Sequence, residues 1–496
     1  GSRTEAAGTD LERSITTVWH AQLNLPLQIN EPGRRTDYSY DANGNRLSQT
    51  ITDTETDTSR TTTWTYTTLG QVEAVDGPRT DVSDITTYSY DSQGALTSTI
   101  NAIGQVTQIT DYDAHGNPLS MLDDNGVVTQ MSYDERQRLT SKTVAGATTI
   151  YEYDPAGQLI RVTQPNGAAL SYIYDDAHRL IGIEDSMGNR MTYTLDAMGN
   201  RTQEEVFDPE GVLRRSQSQV YDQLSRLKEI HGANGQLTEY EYDANGNRTA
   251  TTAAGMYSTL SQFDALERLI KVTDANNGET LYTYDALGHL TSVTDPEGLT
   301  TTFTYNAFGD LIVQASPDTG TTSYTYDQAG NRISQTDARG ITATYSYDAL
   351  NRLTAIDYPG AEEDVAYHYD GTNYSTSLEN GIGRQTGIED QSGATTFSYD
   401  ARGNLITDER VIGGQTYATR YQYDQADNLV GITYPSGRQL NFTRDAVGQV
   451  TALEGADGGI ASSVSYLPFG PVTGLTLGNG IEISRSYDLD YRLTAL

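Results

Sequence analysis

The chain has 496 residues, of which 35 are Tyr, 7 are Phe, 2 are Trp and none is Cys. The lack of cysteine excludes disulfide frameworks, cysteine-ligated metal sites and thiol nucleophiles. A formal net charge of −35 argues against binding to nucleic acid or to an anionic membrane, and no apolar stretch approaches the roughly 20 residues of a membrane span.

One motif recurs from near residue 13 to the end of the chain. In its most regular stretch an aromatic anchor stands at Tyr284, Tyr305, Tyr326 and Tyr347, each 21 residues after the last. Followed in both directions, this register gives 22 units. In chain order the other anchors are Trp19, Tyr40, Tyr66, Tyr90, Tyr112, Tyr133, Tyr153, Tyr174, Leu195, Tyr221, Tyr242, Phe263, Tyr369, Tyr399, Tyr423, Arg444, Tyr466 and Tyr487.

The columns of the repeat predict a β-hairpin with a tight turn. The anchor is Tyr in 18 units, and a second aromatic residue stands two places earlier in 15, so both rings share one face of a strand. Asp follows the anchor in 18 units and Gly comes three residues later in 13, the pattern of a type I turn, and a Leu or Val then opens the next extended run. In three units the residues assigned to this structural motif are Tyr282, Tyr284, Asp285, Gly288, Leu290, Tyr324, Tyr326, Asp327, Gly330, Tyr345, Tyr347 and Asp348.

A second turn signal lies about half a period later, as in Pro165-Asn166-Gly167. Two turns and two runs rich in Thr, Val, Ile and Tyr account for the 21 residues of a unit, so we expect hairpins throughout and almost no helix. Three longer spacings between anchors, 40 to 66, 195 to 221 and 369 to 399, are expected to hold loop extensions.

The string Tyr-x-Tyr-Asp-x-x-Gly-x-Leu resembles the YD repeat of bacterial RHS (rearrangement hot spot) proteins, Tc-toxin shell subunits and teneurins. The resemblance covers essentially the whole chain, and the phrases NLPLQINEPGRRTDYSYDANGNRL and YLPFGPVTGLTLGNG are similar to bacterial RHS sequence in detail. It implies an all-β fold in which a strip of hairpins winds spirally into a hollow shell or partial shell. It also implies that the tyrosines of neighbouring units pack ring on ring.

The alternative fold is a parallel β-helix or solenoid, although its rungs would not need a tight turn after every Tyr-Asp pair. Two strands per unit give about 44 strands, which at about 4.8 Å each span roughly 210 Å. A cylinder about 60 Å across has a circumference of roughly 190 Å by the same spacing. The strip is therefore expected to close little more than one turn.

The most conspicuous motifs are interpreted as structural. The DPEG strings at Asp208 and Asp295 are similar to an element of the RHS core at which toxin-bearing family members cleave themselves, but the rest of that core is missing, so both are expected to be turns. The loops at Asp41 and Asp243 lack the ligands of a full calcium loop. The histidines are scattered through different units without metal-binding spacing. No catalytic, cofactor-binding or metal-binding residue is assigned.

Four arginines that end a Gly-Asn-Arg string after the turn form a cationic column that could recognise a carboxylate or phosphate. The simpler interpretation is that each pairs with the nearby turn Asp or lies across a tyrosine ring. These residues are Arg46, Arg201, Arg248 and Arg332.

The resemblance implies a structural, non-enzymatic function as a segment of the encapsulating shell of an exported RHS-type toxin, secreted or at the bacterial cell surface. We assign 1–12 to a tag or N-terminal leader and 13–496 to the repeat region, which ends before any core protease or toxin domain. The implied partner is a C-terminal toxin or cargo domain, and free strand edges are candidates for self-association. The alternative function is a cell-surface adhesion or carbohydrate-binding module whose tyrosine rows stack on glycans. Nucleic acid, membrane insertion and cofactors are not expected.

Overall fold

The structure is a computed structural model that describes residues 1–253, 257–360, 363–371 and 379–496. These residues form strands and turns and contain no helix, which confirms the all-β expectation. Within the same ranges there is accordingly no helical segment with the length and apolar character that a membrane crossing requires.

The strands are numbered β1 to β46 in chain order. The first half of the chain forms β1 to β23, which are Ser2–Glu5, Arg13–Trp19, Pro26–Glu31, Arg34–Tyr40, Arg46–Asp53, Ser59–Tyr66, Val72–Asp76, Thr86–Tyr90, Leu96–Ile100, Val106–Tyr112, Pro118–Leu122, Val128–Tyr133, Leu139–Val144, Ala147–Tyr153, Leu159–Thr163, Ala169–Tyr174, Leu180–Asp185, Arg190–Leu195, Arg201–Phe207, Leu213–Tyr221, Leu227–Gly232, Leu237–Tyr242 and Arg248–Ala253. The second half forms β24 to β46, which are Tyr257–Phe263, Leu269–Thr273, Glu279–Tyr284, Leu290–Thr294, Thr300–Tyr305, Leu311–Ser316, Gly320–Tyr326, Arg332–Thr336, Thr342–Tyr347, Leu353–Asp357, Val365–Tyr369, Gln385–Asp390, Gly393–Tyr399, Leu405–Ile412, Gln415–Tyr423, Leu429–Thr433, Gln439–Arg444, Val450–Gly455, Gly458–Tyr466, Val472–Leu477, Glu482–Ser484, Ser486–Tyr487 and Leu493–Ala495.

Strands β1 to β44 form one sheet in which each strand pairs antiparallel with its neighbours in sequence, and β45 pairs with β46 in a short separate hairpin. The antiparallel pairing rules out the parallel β-helix. The first strand pairs with β2 and β44 pairs with β43, so the sheet is an open strip. Strand β1 lies within the segment that was assigned to a leader.

The strip has two edges that carry different turns. Each even-numbered strand from β2 to β42 ends at an anchor, and the turns that follow, such as 285–289 between β26 and β27, form what we call the YD-turn edge. The turns that follow odd-numbered strands, such as 295–299 between β27 and β28, form the second-turn edge. All turns of one type therefore project from the same side of the strip.

The strip winds back on itself, and the second-turn edge of its first winding packs on the YD-turn edge of its second winding. Asp53, at the end of β5, accepts a hydrogen bond from the N–H of Ala307 in the β28–β29 turn (3.2 Å). Further along, Gln105 Nε2 donates to Asp370 (2.8 Å) and Asn234 Nδ2 donates to Asp490 (3.1 Å). Hydrogen-bonded partners along this contact, which we call the seam, lie 248 to 273 residues apart in the chain.

The separation of these partners corrects the expected number of windings. The turns that meet are about 24 strands apart, which at about 4.8 Å per strand corresponds to a circumference of roughly 115 Å. The cylinder is therefore narrower than expected, and the 496 residues make nearly two windings rather than little more than one.

Two of the three expected loop extensions are wrong. Between anchors 40 and 66 the additional residues lengthen the strands, since β5 and β6 have 8 residues each. Between 195 and 221 the same holds for β19, with 7 residues, and β20, with 9. The third extension falls between β34 and β35, where 372–378 lies outside the described residues. Extra residues in a hairpin can continue its ladder of backbone hydrogen bonds, which is the reason that longer strands replace loops here.

Candidate functional site: the turn ladder and the seam

Each YD turn is held by the Asp that follows the anchor. Asp285 donates its N–H to the carbonyl of His289 (2.9 Å), and the N–H of Gly288 donates to the Asp285 carbonyl (3.2 Å). One carboxylate oxygen of Asp285 accepts the N–H groups of Leu287 (2.9 Å) and His289 (2.8 Å). The turns at Asp327 and Asp348 repeat these bonds. The Asp therefore caps backbone donors that the tight turn would otherwise leave without partners.

The position three residues after the turn Asp has a left-handed backbone in the units at Asp134, Asp285, Asp327 and Asp348. Its φ is 94° at Gly288 and 87° at Gly330, and where the residue is not glycine, as at Asn351 and Gln137, φ is 60° and 64°. Glycine is frequent at this position because it adopts positive φ without a steric cost.

A hydrogen-bond ladder along the strip uses the anchor hydroxyls. Tyr284 Oη donates to the main-chain oxygen of Leu269 (2.7 Å), the first residue of β25, and Tyr326 Oη donates to Leu311 (2.8 Å), the first residue of β29. Tyr347 Oη donates to the oxygen of Arg332 (3.0 Å) in the same way. The anchors that make this bond are Tyr40, Tyr66, Tyr90, Tyr112, Tyr153, Tyr174, Tyr242, Tyr284, Tyr326, Tyr347, Tyr369, Tyr399, Tyr466 and Tyr487.

The carbonyl that accepts each hydroxyl is presented at a β-bulge. The Leu269 carbonyl, which accepts the Tyr284 hydroxyl, lies in the β24–β25 hairpin, where Gln262 opposes Lys271 but Phe263 opposes Leu269, so that one residue is passed over. The same shift occurs at Tyr326 and at Tyr347. Leu290, which was expected to open the next run, is the first residue of β27 and the partner of its anchor.

The half-buried positions of these groups change their acidity. Burial raises the pKa of the Tyr284, Tyr326 and Tyr347 hydroxyls above the ordinary value for tyrosine. For Asp285, burial opposes ionisation, but hydrogen bonds from the backbone and side chain of His289 outweigh it and lower the pKa. The turn carboxylate therefore stays ionised while the anchor stays protonated as a donor.

The expected ring-on-ring packing of neighbouring units is wrong. Among the described residues one tyrosine pair stacks, Tyr38 and Tyr40 within a single unit, with ring centroids 6.4 Å apart. His289 and Tyr305 form a second ring contact at 5.1 Å. Several anchor rings are instead covered by an arginine side chain, as Tyr284 is by Arg268 and Tyr153 is by Arg138.

A column of arginines at the fourth residue after the turn Asp links consecutive YD turns. Arg268 Nε donates to Asp264 (2.7 Å), its Nη1 donates to the main-chain oxygen of Asp285 in the next turn (2.9 Å), and its guanidinium lies 4.8 Å from the centre of the Tyr284 ring. Such a guanidinium joins two turns and covers an anchor ring at once. We call residues that make this bridge in-line arginines: Arg138, Arg179, Arg226 and Arg268, and Arg352, which bonds the Asp370 carboxylate.

The simpler interpretation of the four Gly-Asn-Arg arginines is confirmed. Arg201 lies over Tyr193 at 3.6 Å, and Arg332 lies over Tyr345 at 4.5 Å and over Tyr324 at 5.7 Å. Arg248 lies over Tyr240, and Arg46 lies over Trp64. These cations therefore cover the rings two residues before the anchors.

Three arginines of the first winding cross the seam. Arg13 Nη1 donates to the main-chain oxygen of Ala286 (2.6 Å). Arg60 pairs with the Asp310 carboxylate and donates to the oxygen of Asp327 (3.3 Å). Arg79, whose side chain is 3% exposed, donates to the oxygen of Asp348 (2.5 Å). The seam thus joins guanidinium groups of one winding to the turns of the next.

The motifs that could suggest chemistry form turns. In the DPEG string at Asp295, the carboxylate accepts the N–H groups of Glu297 and Leu299 (both 2.9 Å), and Gly298 has a φ of 82°. The Asp41 carboxylate accepts bonds from Asn43 and from Asn45. Within the described ranges no three His, Asp or Glu side chains are grouped as a metal site would require.

Sequence reasoning missed the in-line and the seam arginines. The in-line column was visible in the sequence, since Arg follows a non-glycine left-handed residue at Gln137, His178, Ser225, Glu267 and Asn351. The seam arginines have no local signal, because their partners depend on the winding period.

Comparison with known families and structures agrees with this geometry. The family model described as teneurin YD-shell matches residues 35–210 and 190–374, and that described as RHS repeat matches 409–439 and 423–460. No curated protein matches the chain in sequence.

Several solved structures have a similar fold. The crystal structure of TcdB2-TccC3-Cdc42 matches with a TM-score of 0.75 at 14% identity over 97% of this chain and 37% of that chain. The structure of TcdB2-TccC3 matches with a TM-score of 0.69 at 15% identity over 97% of this chain and 32% of that chain. TcdB2-TccC3 without its hypervariable C-terminal region gives 0.69 at 14% identity, over 97% and 34%. The chain thus spans about a third of the length of these chains.

Proposed function

The chain belongs to the teneurin YD-shell family, and from this premise we propose that it is a wall segment of a hollow shell that encloses a toxin domain of an exported bacterial protein. The enclosed partner is a cargo domain at the C-terminal side of the repeats. The setting is outside the producing cell, either secreted or at its surface.

The seam is the observation that carries this proposal. A strip that only curved would leave a gap between its windings, whereas here polar contacts recur between the windings from Arg13 with Ala286 to Asn234 with Asp490. Between them, Asn125 exchanges two hydrogen bonds with Ile382 (3.0 and 2.9 Å). Contacts at these intervals make one continuous wall out of two windings, which is what an enclosing function needs.

The state of the tyrosines favours a wall over a glycan-binding module. An aromatic platform for sugars needs an exposed ring face and a free polar rim. The anchor hydroxyls are bonded to the wall's own backbone, as at Tyr284 and Tyr326, and the guanidinium of Arg268 covers the Tyr284 ring. The tyrosine columns are therefore proposed to hold the wall together, without catalysis by the chain.

The proposal is tested by asking whether the wall protects a cargo. A small reporter domain that trypsin digests rapidly is joined after Leu496, and its survival under trypsin is compared with that of the free reporter. We expect the joined reporter to survive much longer. Substituting Arg60 and Arg79 with alanine opens the seam and is expected to remove part of that protection. Digestion of the joined reporter at the rate of the free domain, with the wall itself intact, would contradict the proposal.

A further inference from the structure

One turn on the YD-turn edge departs from the repeat. It has the sequence Leu467-Pro468-Phe469-Gly470, and the N–H of Gly470 donates to the carbonyl of Leu467 (3.0 Å). Proline as the second residue and glycine as the fourth are typical of a type I turn. The sequence therefore predicts that Gly470 has the left-handed backbone, as the corresponding glycine has in the turn at Asp285.

The structure places the left-handed residue one position earlier. Phe469 has a φ of 48°, whereas Gly470 has no positive φ. A positive φ at the third residue makes this a type II turn, which normally has glycine or asparagine at that place. A phenylalanine with positive φ is strained, and this strain would be relieved if the neighbouring glycine took the left-handed conformation instead.

Tyr491 of the next YD turn explains why the strained form persists. The type I and type II forms differ by a flip of the peptide between the second and third residues, which reverses the direction of the Pro468 carbonyl. Tyr491 Oη donates to that carbonyl (2.7 Å), so this hydrogen bond is specific to the type II form. The Tyr491 ring also lies against Gly470, since a Cβ added to that glycine would be 2.6 Å from Cε2 of the ring.

Tyr491 is in turn positioned by the seam. The turn that contains it is seated on the first winding, where the Asp490 carboxylate accepts the N–H of Ala233 (2.8 Å) and a bond from Asn234 Nδ2 (3.1 Å). Displacing this turn from the first winding would move Tyr491 away from Pro468. The conformation of one turn therefore depends on whether its neighbour is seated.

The strained residue itself lies at the seam. Phe469 and Val447 of the second winding line a cavity of about 320 Å³ together with Val162, Leu170 and Tyr172 of the first winding. The conformation of the turn thus determines where an aromatic ring stands between the two windings, and the cavity leaves room for that ring to move.

We propose that the turn at 467–470 is a two-state latch of the seam. While the turn at 488–492 is seated on the first winding, Tyr491 holds the latch in its strained type II form. When that turn leaves its seat, the central peptide of the latch flips, Gly470 takes the positive φ, and Phe469 moves relative to the first winding. Opening of the seam at one turn is thereby coupled to the next. The latch goes beyond the enclosing function, because it does not depend on what the wall surrounds.

Asparagine and alanine at residue 469 test the latch, because asparagine adopts positive φ more readily than alanine and neither retains the aromatic ring. Protection of the 466–472 segment against hydrogen exchange is measured by mass spectrometry in the full chain. We expect about fivefold greater protection in Phe469→Asn than in Phe469→Ala. Leu224→Asn and Leu224→Ala are the matched control pair and should be protected alike, since Leu224 is the third residue of a turn whose positive φ lies on Ser225.

The two substitutions at residue 469 are then compared in backgrounds that release the latch. In Tyr491→Ala the turn takes the type I form, so the difference between asparagine and alanine should disappear. Tyr491→Phe keeps the ring and loses only the hydroxyl, and it should reduce the difference without disturbing the fold of the last hairpin. Asp490→Ala unseats the turn at 488–492 and should reduce the difference as well.

Three results would overturn the latch. The first is equal protection in Phe469→Asn and Phe469→Ala while Tyr491 is present, which would place the positive φ elsewhere. The second is a difference that persists undiminished in Tyr491→Ala and Tyr491→Phe, which would show that Tyr491 does not hold the turn. The third is an undiminished difference in Asp490→Ala, which would remove the coupling to the seam.

Discussion

At the scale of single residues, each repeat assigns one task to each side chain of its motif. Tyr284 donates from its hydroxyl to the preceding unit, Asp285 caps the turn, and Gly288 supplies the left-handed backbone. Leu290 pairs with the anchor and begins the next strand. None of these tasks needs a distant part of the chain.

Replacing Gly288 with valine tests the backbone requirement. A Cβ at Gly288 would meet no atom within 4 Å, so any cost arises from the φ of 94° rather than from a clash. We expect a loss of about 1 kcal/mol or more in the free energy of unfolding, measured by urea denaturation. Gly459→Val is the matched control, because that glycine also has open space but no positive φ, and it should cost less. An equal loss in the free energy of unfolding for the two variants would contradict a requirement for positive φ at Gly288.

Replacing Tyr284 with phenylalanine tests the hydroxyl ladder. The change leaves the Leu269 carbonyl without its donor at little cost in ring packing, so we expect a loss of about 0.5–1.5 kcal/mol. In Tyr282→Phe the removed hydroxyl has no hydrogen-bond partner among the described residues, and the loss should be smaller. Denaturant melts of the two variants provide the comparison. A larger effect at Tyr282 would show that the two columns have been assigned the wrong roles.

At the scale of elements, the hairpin of each unit could be predicted from the sequence, but the lengths of some strands and the packing between units could not. Local chemistry at Asp285 and Gly288 specifies the turn whatever the rest of the chain does. The longer strands β5, β6 and β20 were mistaken for loops because polar residues in them continue the backbone ladder. Ring-on-ring packing was wrong because composition cannot show that arginine side chains lie over several of the anchor rings.

The partner of Arg79 illustrates why the seam could not be predicted. Arg79 and Asp348 are 269 residues apart, and they meet only because small twists and bends at each of the intervening strands add up to one winding. An error of one hairpin in that sum would bring Arg79 to a different turn.

Replacing Arg79 with alanine tests the seam at this scale. Removing a buried arginine from its carboxylate and carbonyl partners is expected to cost about 3 kcal/mol locally. Hydrogen exchange should therefore speed up by about two orders of magnitude in the 77–85 loop and in the turns at Asp327 and Asp348. Exchange in the distant turn at Asp154 should not change, which provides an internal control.

A second substitution separates the seam from general instability. In the Arg79→Ala background, Asn331→Arg supplies an in-line guanidinium in the position that Arg268 holds three units earlier. Protection should return at the Asp327 and Asp348 turns but not in the 77–85 loop. If exchange in Arg79→Ala matched the unchanged protein, the seam contact would have no energetic role.

At the scale of the whole molecule, stability depends on many equivalent weak contacts between neighbours, as expected for a repeat protein. Few side chains are fully buried, Val206 and Thr386 among them, so a single-layer wall has no thick core to rely on. The ladder of tyrosine hydroxyls and the arginine bridges take its place.

Because the anchor hydroxyls must stay protonated to donate their hydrogen bonds, the protein is predicted to unfold at alkaline pH. Burial raises the pKa of Tyr491 to about 12 and raises that of Tyr284, Tyr326 and Tyr347 above the ordinary value. Because the unfolded chain loses these protons near pH 10, the stabilisation is complete below that pH and is lost as the pH rises toward the folded-state values. Tyrosinate absorbance and β circular dichroism should therefore change together above pH 10. Full ionisation near pH 10 with an unchanged β spectrum would contradict the expected shift.

The chain is described above as a wall of two windings around a hollow interior. Electron cryo-microscopy of the full chain is the decisive measurement, because a projection along the winding axis distinguishes a wall from a filled body. We expect a hollow ring one sheet thick in that view and two stacked windings in side views, in contact along the seam. A filled rod, or an extended strip whose windings do not touch, would contradict it.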